Sequence, residues 1–268
     1  MQTPEQPSLD PRGADRAALG EWQVESLRLT GFTTAPDLPT LDEASRWYEK
    51  CAGSTPDIAL AKPKENSLQV EGAFVQGNLS GRLVLSMAPF RFDWTLLAEG
   101  MTLDAFPSPG LGAFPEALST FVDAISAWLP DSSPVDRLAL GIVAKLPVID
   151  RPAGHRRLAS YLPFEPDPDG SDFLYQINRP RVSRTIPELP INRLMRWSVG
   201  ATGVMRVLLQ PGGQTQVLGA PQTVHCRSEM DINTAPGRVE AITTGSLGAL
   251  LTEFSDLARE ILGEGDRP

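Results

Sequence analysis

One short segment, residues 90–97, constrains the fold of this chain more than any other part of the sequence. Apolar and polar side chains alternate strictly along it, with Phe90, Phe92, Trp94 and Leu96 on one side and Arg91, Asp93 and Thr95 on the other. A period of two places these two sets on opposite faces of a β-strand. The segment therefore predicts an antiparallel sheet with one face buried under other elements and one face in water.

Similar patterns predict further strands and four helices. Strands are expected near residues 24–29, 67–76, 82–87, 137–146, 172–179, 191–199, 204–210 and 222–233. Helices are expected after the capping box of Thr40 and Glu43, over 114–129, near 155–162, and over 246–262 with Gly263 as its cap. Strand 137–146 is apolar on both faces, which indicates a central place in the sheet.

The order of these elements favours an α+β fold of antiparallel sheets with helices packed on one face. The strand meanders lack the crossover helices that parallel neighbours need. The layout also predicts two similar halves, with residues 21–150 forming the first and residues 151–268 forming a second that ends in the long helix. Residues 1–20 are polar and rich in Pro and Gly, so we expect a disordered N-terminal tail there.

The net charge of the chain and its apolar pattern limit the kinds of partner and the cellular location that we expect. The formal net charge is −9, and a negative mean field repels the phosphates of nucleic acid. We see neither an apolar run of the roughly 18 residues that a membrane helix needs nor a signal-peptide pattern. Cys51 and Cys226 fall on apolar faces, which is typical of buried thiols rather than of a disulfide. We therefore expect a cytoplasmic protein that does not enter a membrane.

Residue types that carry most catalysis are scarce in this chain. It holds two His, two Cys and four Lys beside twenty Arg. Nucleophile–base pairs, thiolate metal sites and Schiff-base chemistry all draw on the scarce types. We therefore expect no catalytic residues and no cofactor, and the balance favours a binding protein over an enzyme.

The strongest local anomaly is the basic segment 173–206, whose six arginines face a single acid, Glu188. Guanidinium groups bind carboxylates or phosphates in a forked geometry, and interleaved aromatic rings can stack on bases. The segment predicts a surface for an acidic protein partner or for phosphate, while pairing with the chain's own carboxylates is the alternative. The residues expected on this surface are Tyr175, Arg179, Arg181, Arg184, Arg193, Arg196 and Trp197. The Ile-Asn pairs at Asn178, Asn192 and Asn233 predict asparagines that satisfy backbone groups beside strands.

A second candidate lies on strand 223–233. Its period of two places His225, Glu229 and Asp231 on the face opposite Cys226 and Met230. One imidazole and two carboxylates could ligate a divalent metal, although no second His or Cys lies nearby in the sequence. A solvated strand face with cross-strand ion pairs explains the same pattern, and we favour it.

Three short motifs carry a resemblance to a known family. They are Arg137 to Gly141, Ile191 to Leu194, and Met230 to Thr234 followed by a long helix. Over residues 22–262 the layout resembles a sporadically distributed, uncharacterised bacterial family of about 250 residues that is linked to mobile or defence loci. The family has no established catalytic residues, so the resemblance implies no activity. Residues 191–200 depart from its Arg-x-Gly-x-Arg-Tyr pattern.

These observations combine into one hypothesis of function. We expect a non-enzymatic binding or adaptor subunit that engages an acidic surface of another protein through its Arg-rich face, in a bacterial antiviral defence system. The alternatives are a metal-dependent phosphoester hydrolase that uses His225, Glu229 and Asp231, and a sensor of nucleic acid or nucleotide.

Overall fold

The computed structural model describes residues 16–34, 36–99, 110–203, 206–209, 215–218, 222–237 and 240–266. Most of the tail predicted at 1–20 lies outside these residues. Residues 16–20 pack on the fold: the backbone N–H of Ala17 donates to the Tyr161 hydroxyl at 3.0 Å, and Ala17 is buried. The folded part therefore begins before residue 21, where the sequence analysis places its start.

The described residues form twelve strands and four α-helices. The strands are β1 (Gln23–Thr33), β2 (Ile58–Lys62), β3 (Ser67–Gln76), β4 (Leu79–Ala88), β5 (Arg91–Leu97), β6 (Val135–Val148), β7 (Leu174–Asn178), β8 (Arg181–Val182), β9 (Pro190–Gly203), β10 (Arg206–Leu209), β11 (Thr215–Leu218) and β12 (Gln222–Thr234). The helices are α1 (Leu41–Ala52), α2 (Phe114–Ser126), α3 (Arg151–Ala159) and α4 (Thr244–Glu264).

Ten of the strands form one sheet in which every pair is antiparallel. Its order is β2-β3-β4-β5-β1-β6-β12-β9-β7, with β8 also paired to β9, while β10 and β11 form a separate hairpin. Strand β6 lies between β1 and β12, which confirms its predicted central position. The α+β class and the antiparallel sheet are also confirmed.

The helices cover one face of the sheet, and we call this the inner face. Helix α1 packs on β3, α2 on β1 and β4, α3 on β12 and β9, and α4 on β12 and β6. Inner-face side chains such as Leu29, Trp94, Leu140 and Ile232 are buried with at most 1% of their surface exposed. Their alternation with half-buried or exposed neighbours is the period-two pattern from which the sheet was predicted.

Local signals fix several element boundaries. The capping box of α1 is confirmed: the Glu43 backbone N–H donates to Thr40 Oγ1, and the Thr40 N–H donates to Glu43 Oε2. The end of α4 is later than predicted, because Gly265, and not Gly263, adopts the positive φ of 74° that closes the helix.

Phe90 was wrongly placed on the inner face of β5. It lies in the β4–β5 turn with φ of 64° and half of its surface exposed, so the strand's alternation begins only at Arg91. The turn demands a left-handed residue there, and the side-chain pattern cannot signal this.

Candidate functional site

The arginines of segment 173–206 do not form one free surface. Four of them pair with carboxylates on or just after α4, which lies beside their strands. Arg179 donates two hydrogen bonds to Asp266 at 2.8 and 3.0 Å, and Arg181 and Arg193 both reach Glu260, at 2.5 and 3.3 Å. We call this set, Arg179, Arg181, Arg184 and Arg193 with Glu253, Glu260 and Asp266, the α4 clasp. The structure thus brings these predicted residues together, with their counter-charges supplied from inside the molecule.

Two buried carboxylates of the α4 clasp order the chain around them. Glu253 accepts from the Ser183 hydroxyl at 2.7 Å and from the backbone N–H groups of Arg184 and Thr185 at 2.7 and 3.2 Å. Burial raises the pKa of Glu253, but these hydrogen bonds outweigh it and leave the pKa below its ordinary value. The pKa of Asp266 is lowered in the same way, with Arg179 and Tyr175 as donors against the effect of burial. Both groups are therefore held as anions.

The remaining predicted residues of the Arg-rich surface lie apart from one another. Trp197 is fully buried on the inner face, where its ring lies 5.9 Å from that of Trp22 and 5.2 Å from that of Tyr161. The prediction that Trp197 stacks on a ligand at the surface is therefore wrong, because the period of two on β9 turns it inward. Tyr175 donates its hydroxyl to Asp266 at 2.5 Å. Arg196 points to the opposite face of the sheet, 3.5 Å from Glu229.

The metal-site candidates share a face of β12, as predicted, but do not converge. Glu229 pairs with Arg227 at 3.0 Å, and Asp231 accepts from the Asn233 amide at 3.0 Å. Burial, followed by the charge of Lys145, lowers the pKa of His225. Within the described residues, no three His, Cys, Asp or Glu side chains lie close enough together to hold a metal ion.

Both cysteines are buried, as the sequence predicts, and so is the second histidine. Burial raises the pKa of Cys51 and of Cys226 to about 12, so both thiols stay protonated and unreactive near neutral pH. His155 is fully buried; its Nδ1 lies 3.2 Å from the Pro168 carbonyl oxygen and its ring lies 5.6 Å from that of Phe173. The helix that carries it begins four residues earlier than predicted, which turns His155 toward the sheet.

The face of the sheet opposite the helices carries the one candidate site that the sequence analysis did not anticipate. None of the described helices packs on this side, which we call the open face. A cleft of about 490 Å³ opens in its middle, and residues of β5, β1, β6, β12, β9 and β7 line it. Six neighbouring strands span roughly 24 Å at the usual spacing, so the cleft crosses the centre of the sheet.

Gly141 lies on β6 in the cleft, between Arg28 of β1 and Asp231 of β12 in the strand register. Other strand glycines have internal reasons: a Cβ at Gly72 would lie 2.8 Å from the Tyr48 hydroxyl, and one at Gly81 would lie 2.5 Å from the Leu97 carbonyl oxygen. The three atoms nearest to a Cβ at Gly141 would all belong to the Arg28 side chain, at ordinary distances of 3.7 to 3.8 Å. The register on both sides of Gly141 is regular, so no bulge explains this glycine either.

Four arginines of the open face each pair with a carboxylate. Arg82 pairs with Glu71 at 2.8 Å, Arg91 with Asp93 at 2.6 Å, and Arg227 with Glu25 at 3.1 Å. Arg196 has Glu229, as described above. The exposed Arg28 guanidinium has no hydrogen-bond or ion-pair partner among the described residues, although it lies in the cleft at the centre of the same face.

A ladder of amides borders the cleft. Asn178 donates to Asn192 at 3.0 Å, and Asn192 donates to the side-chain oxygen of Asn233 at 3.1 Å. That oxygen also accepts from Arg137, whose guanidinium lies 5.1 Å from the centre of the Phe32 ring. The Asn178 oxygen accepts the backbone N–H of Arg193, which agrees with the predicted structural role of these asparagines. The ladder fixes this edge of the cleft.

Comparisons with known proteins add no relative. A scan against protein-family models finds no match, and a search of curated proteins finds none either. The resemblance to a defence-linked bacterial family therefore stays a prediction. Within the described part of the chain, each helix is too short or too polar to cross a membrane.

Proposed function

We propose that this protein is a non-enzymatic binding or adaptor subunit that receives another protein on the open face of its sheet. One observation carries the proposal: Gly141 stands in the middle of a central strand, where glycine weakens a strand and no packing among the described residues requires it. A glycine in such a place is typical of a site that another chain approaches closely. The surrounding cleft is open and has both polar and apolar lining, which suits a protein surface better than an enclosed small molecule.

We also infer that the chain consists of two similar halves that meet at the cleft. In the sheet, β1 is followed outward by β5, β4 and β3, and β6 is followed outward by β12, β9 and β7. Helices α1 and α3 each follow the inner strand of one series, and α2 and α4 each follow the next strand outward. On this interpretation β6 opens the second half, so the half boundary falls before residue 135 and not at 150. Gly141 and Arg28 then lie on either side of the junction.

The surface proposed here differs from the Arg-rich surface expected from the sequence. The four arginines of the α4 clasp already have carboxylate partners, so an acidic partner protein would have to displace them. The open face needs no such rearrangement, because the Arg28 guanidinium at its centre has no carboxylate partner in the part of the chain that the structure describes. A hydrolase that uses His225, Glu229 and Asp231 gains no support from the separation of these groups. We keep the bacterial defence setting and the cytoplasmic location as parts of the proposal, the latter supported by two free cysteines.

Partner capture followed by a matched pair of variants tests the proposal. The tagged chain is used to isolate partners from the source organism, and a candidate is then purified and titrated calorimetrically. Gly141→Val fills the cleft and favours the strand conformation, so the protein stays folded. We expect it to weaken binding by about 30-fold, or about 2 kcal/mol, as for a residue at the centre of an interface.

Arg181→Gln is the control, because Arg181 is exposed and belongs to the α4 clasp. Its affinity for the partner should stay within about twofold of the wild type, as for a residue outside the interface. The reverse result, a loss with Arg181→Gln and none with Gly141→Val, would return the interface to the Arg-rich surface and overturn the proposal.

A further inference from the structure

We infer that Arg28 binds a carboxylate of the partner protein, so that an acidic segment of the partner lies across the cleft over Gly141. This inference rests on the proposed function and names the chemistry of the partner. Its first support is the contrast between Arg28 and its neighbours, because Arg82, Arg91, Arg196 and Arg227 on the same face each have a carboxylate within 3.5 Å. Arg28 has none among the described residues.

The second support is the shape of the surface around Arg28. The Arg28 side chain lies beside Gly141, and its Nε is 3.7 Å from where a Cβ would be. A partner segment can therefore approach the backbone of β6 and meet the guanidinium from above. Guanidinium forks bind carboxylates through two parallel hydrogen bonds, and this gives both affinity and orientation.

The third support is the polarity of the cleft on the other side of Gly141. Asp231 lies there, about 10 Å from Arg28 across two strand spacings, and its Oδ1 accepts from Asn233. Its Oδ2 has no donor among the described residues. An acidic side chain bound at Arg28 would place neighbouring backbone N–H groups near this free oxygen. The cleft thus offers a donor fork and an acceptor at opposite sides, which matches a peptide segment better than it matches a lone anion.

The extent of the cleft favours a protein over a small carboxylate or phosphate. Small-molecule sites enclose most of their ligand. This cleft is open and crosses six strands, and its mixed lining includes Ser26 and Thr95 beside Arg28. Seven residues of extended chain span about 23 Å, which is close to the width of these six strands.

A peptide titration tests the inference without a known partner. The full chain, labelled with nitrogen-15 at arginine, is titrated with a blocked seven-residue peptide of Ala and Ser that has one central Glu, and with the same peptide carrying Gln. We expect the Arg28 Nε–Hε signal, identified by its loss in Arg28→Gln, to shift saturably with the Glu peptide and at least fivefold less with the Gln peptide. Arg82→Gln is the matched control and should leave the titration unchanged, because Arg82 already has Glu71.

Three results would overturn the inference. They are no saturable shift of the Arg28 signal, equal shifts with both peptides, or saturation by inorganic phosphate at a tenfold lower concentration than by the Glu peptide. Binding measurements with the partner protein distinguish failure of this inference from failure of the proposed function. If Gly141→Val abolishes partner binding while Arg28→Gln keeps it within twofold, the open face binds the partner without a carboxylate at Arg28. If Gly141→Val binds normally, the proposed function itself fails.

Discussion

Arg193 and Arg28 lie on opposite faces of the same sheet. The contrast between them distinguishes a charge that stabilises the fold from a charge that is free to bind a partner. Arg193 is on the inner face with 2% of its side chain exposed, and Glu260 lies 3.3 Å from it. Burial, with the like charge of Arg181, lowers the pKa of Arg193. Arg28 is exposed on the open face and has no such partner in the described residues. Four arginines of the basic segment are thus paired inside the molecule, whereas Arg28 faces solvent at the centre of the open face.

The reason for this difference is the position of α4. The helix packs on β12 and β6, and its acids reach the arginines of the α4 clasp from there. No described helix reaches the open face, so carboxylates there must come from neighbouring strands. The residues that pair with Arg28 on the two neighbouring strands are Thr95 and Gly141, and neither side chain carries a charge.

The largest effect that this comparison predicts is the loss of a carboxylate from the α4 clasp. Replacing Glu253 by Gln removes a buried charge that holds Ser183 and two backbone N–H groups. The amide nitrogen of Gln, itself a donor, then lies against the N–H and hydroxyl donors that Glu253 had accepted from. We expect the free energy of unfolding to fall by about 3 kcal/mol, because hydrogen bonds to buried charges are worth about 1.5–3 kcal/mol each. Urea denaturation measures this change.

Glu229→Gln is the matched control on the open face. Glu229 also accepts from arginines, but 35% of its side chain is exposed, so its loss should cost less than about 1 kcal/mol. Equal losses for the two variants would remove the distinction between a structural clasp and a solvated face.

Much of the fold follows from local patterns in the sequence. Strand β5 was predicted from its alternation, α1 from a capping box, and β6 from its apolar run, because each signal lies within a few residues. Strand β2 was missed, because its apolar residues Ile58 and Leu60 face the open side at the sheet edge and are about half exposed. A strand that presents its apolar residues to solvent does not carry the usual buried pattern.

The candidate site could not be predicted from the sequence, for a different reason. Arg28, Gly141 and Asp231 lie on three strands separated by about a hundred residues each, and only the strand order β1-β6-β12 brings them together. A charge count along the chain finds residues 173–206 instead, since it cannot show that α4 supplies their counter-charges. The alternation on β1 does place Arg28 on the wet face, and that is the one local signal that could have found it.

His225 gives a smaller, pH-dependent test of the open face. It is 8% exposed, and burial together with Lys145 and Arg227 lowers its pKa from 6.5, against the opposing effect of Glu25. The unfolded chain therefore binds the proton more readily than the folded one as the pH falls below 6.5. We expect stability to fall in that range by at most about 1.4 kcal/mol per pH unit relative to His225→Gln. Because His155 is present in both proteins, its contribution cancels; parallel stability curves from pH 7 to 5 would contradict this.

The smallest expected effect belongs to Arg28 itself. Since the described residues give its guanidinium no partner, Arg28→Gln removes no internal interaction, and we expect a change in the free energy of unfolding within about 0.5 kcal/mol. Arg179→Gln, which breaks the paired contact with Asp266, should cost about 2 kcal/mol in the same denaturation experiment. A loss with Arg28→Gln as large as that with Arg179→Gln would mean that Arg28 is a structural residue. A stable Arg28→Gln that no longer binds the partner would instead show that the charge of Arg28 acts in binding and not in folding.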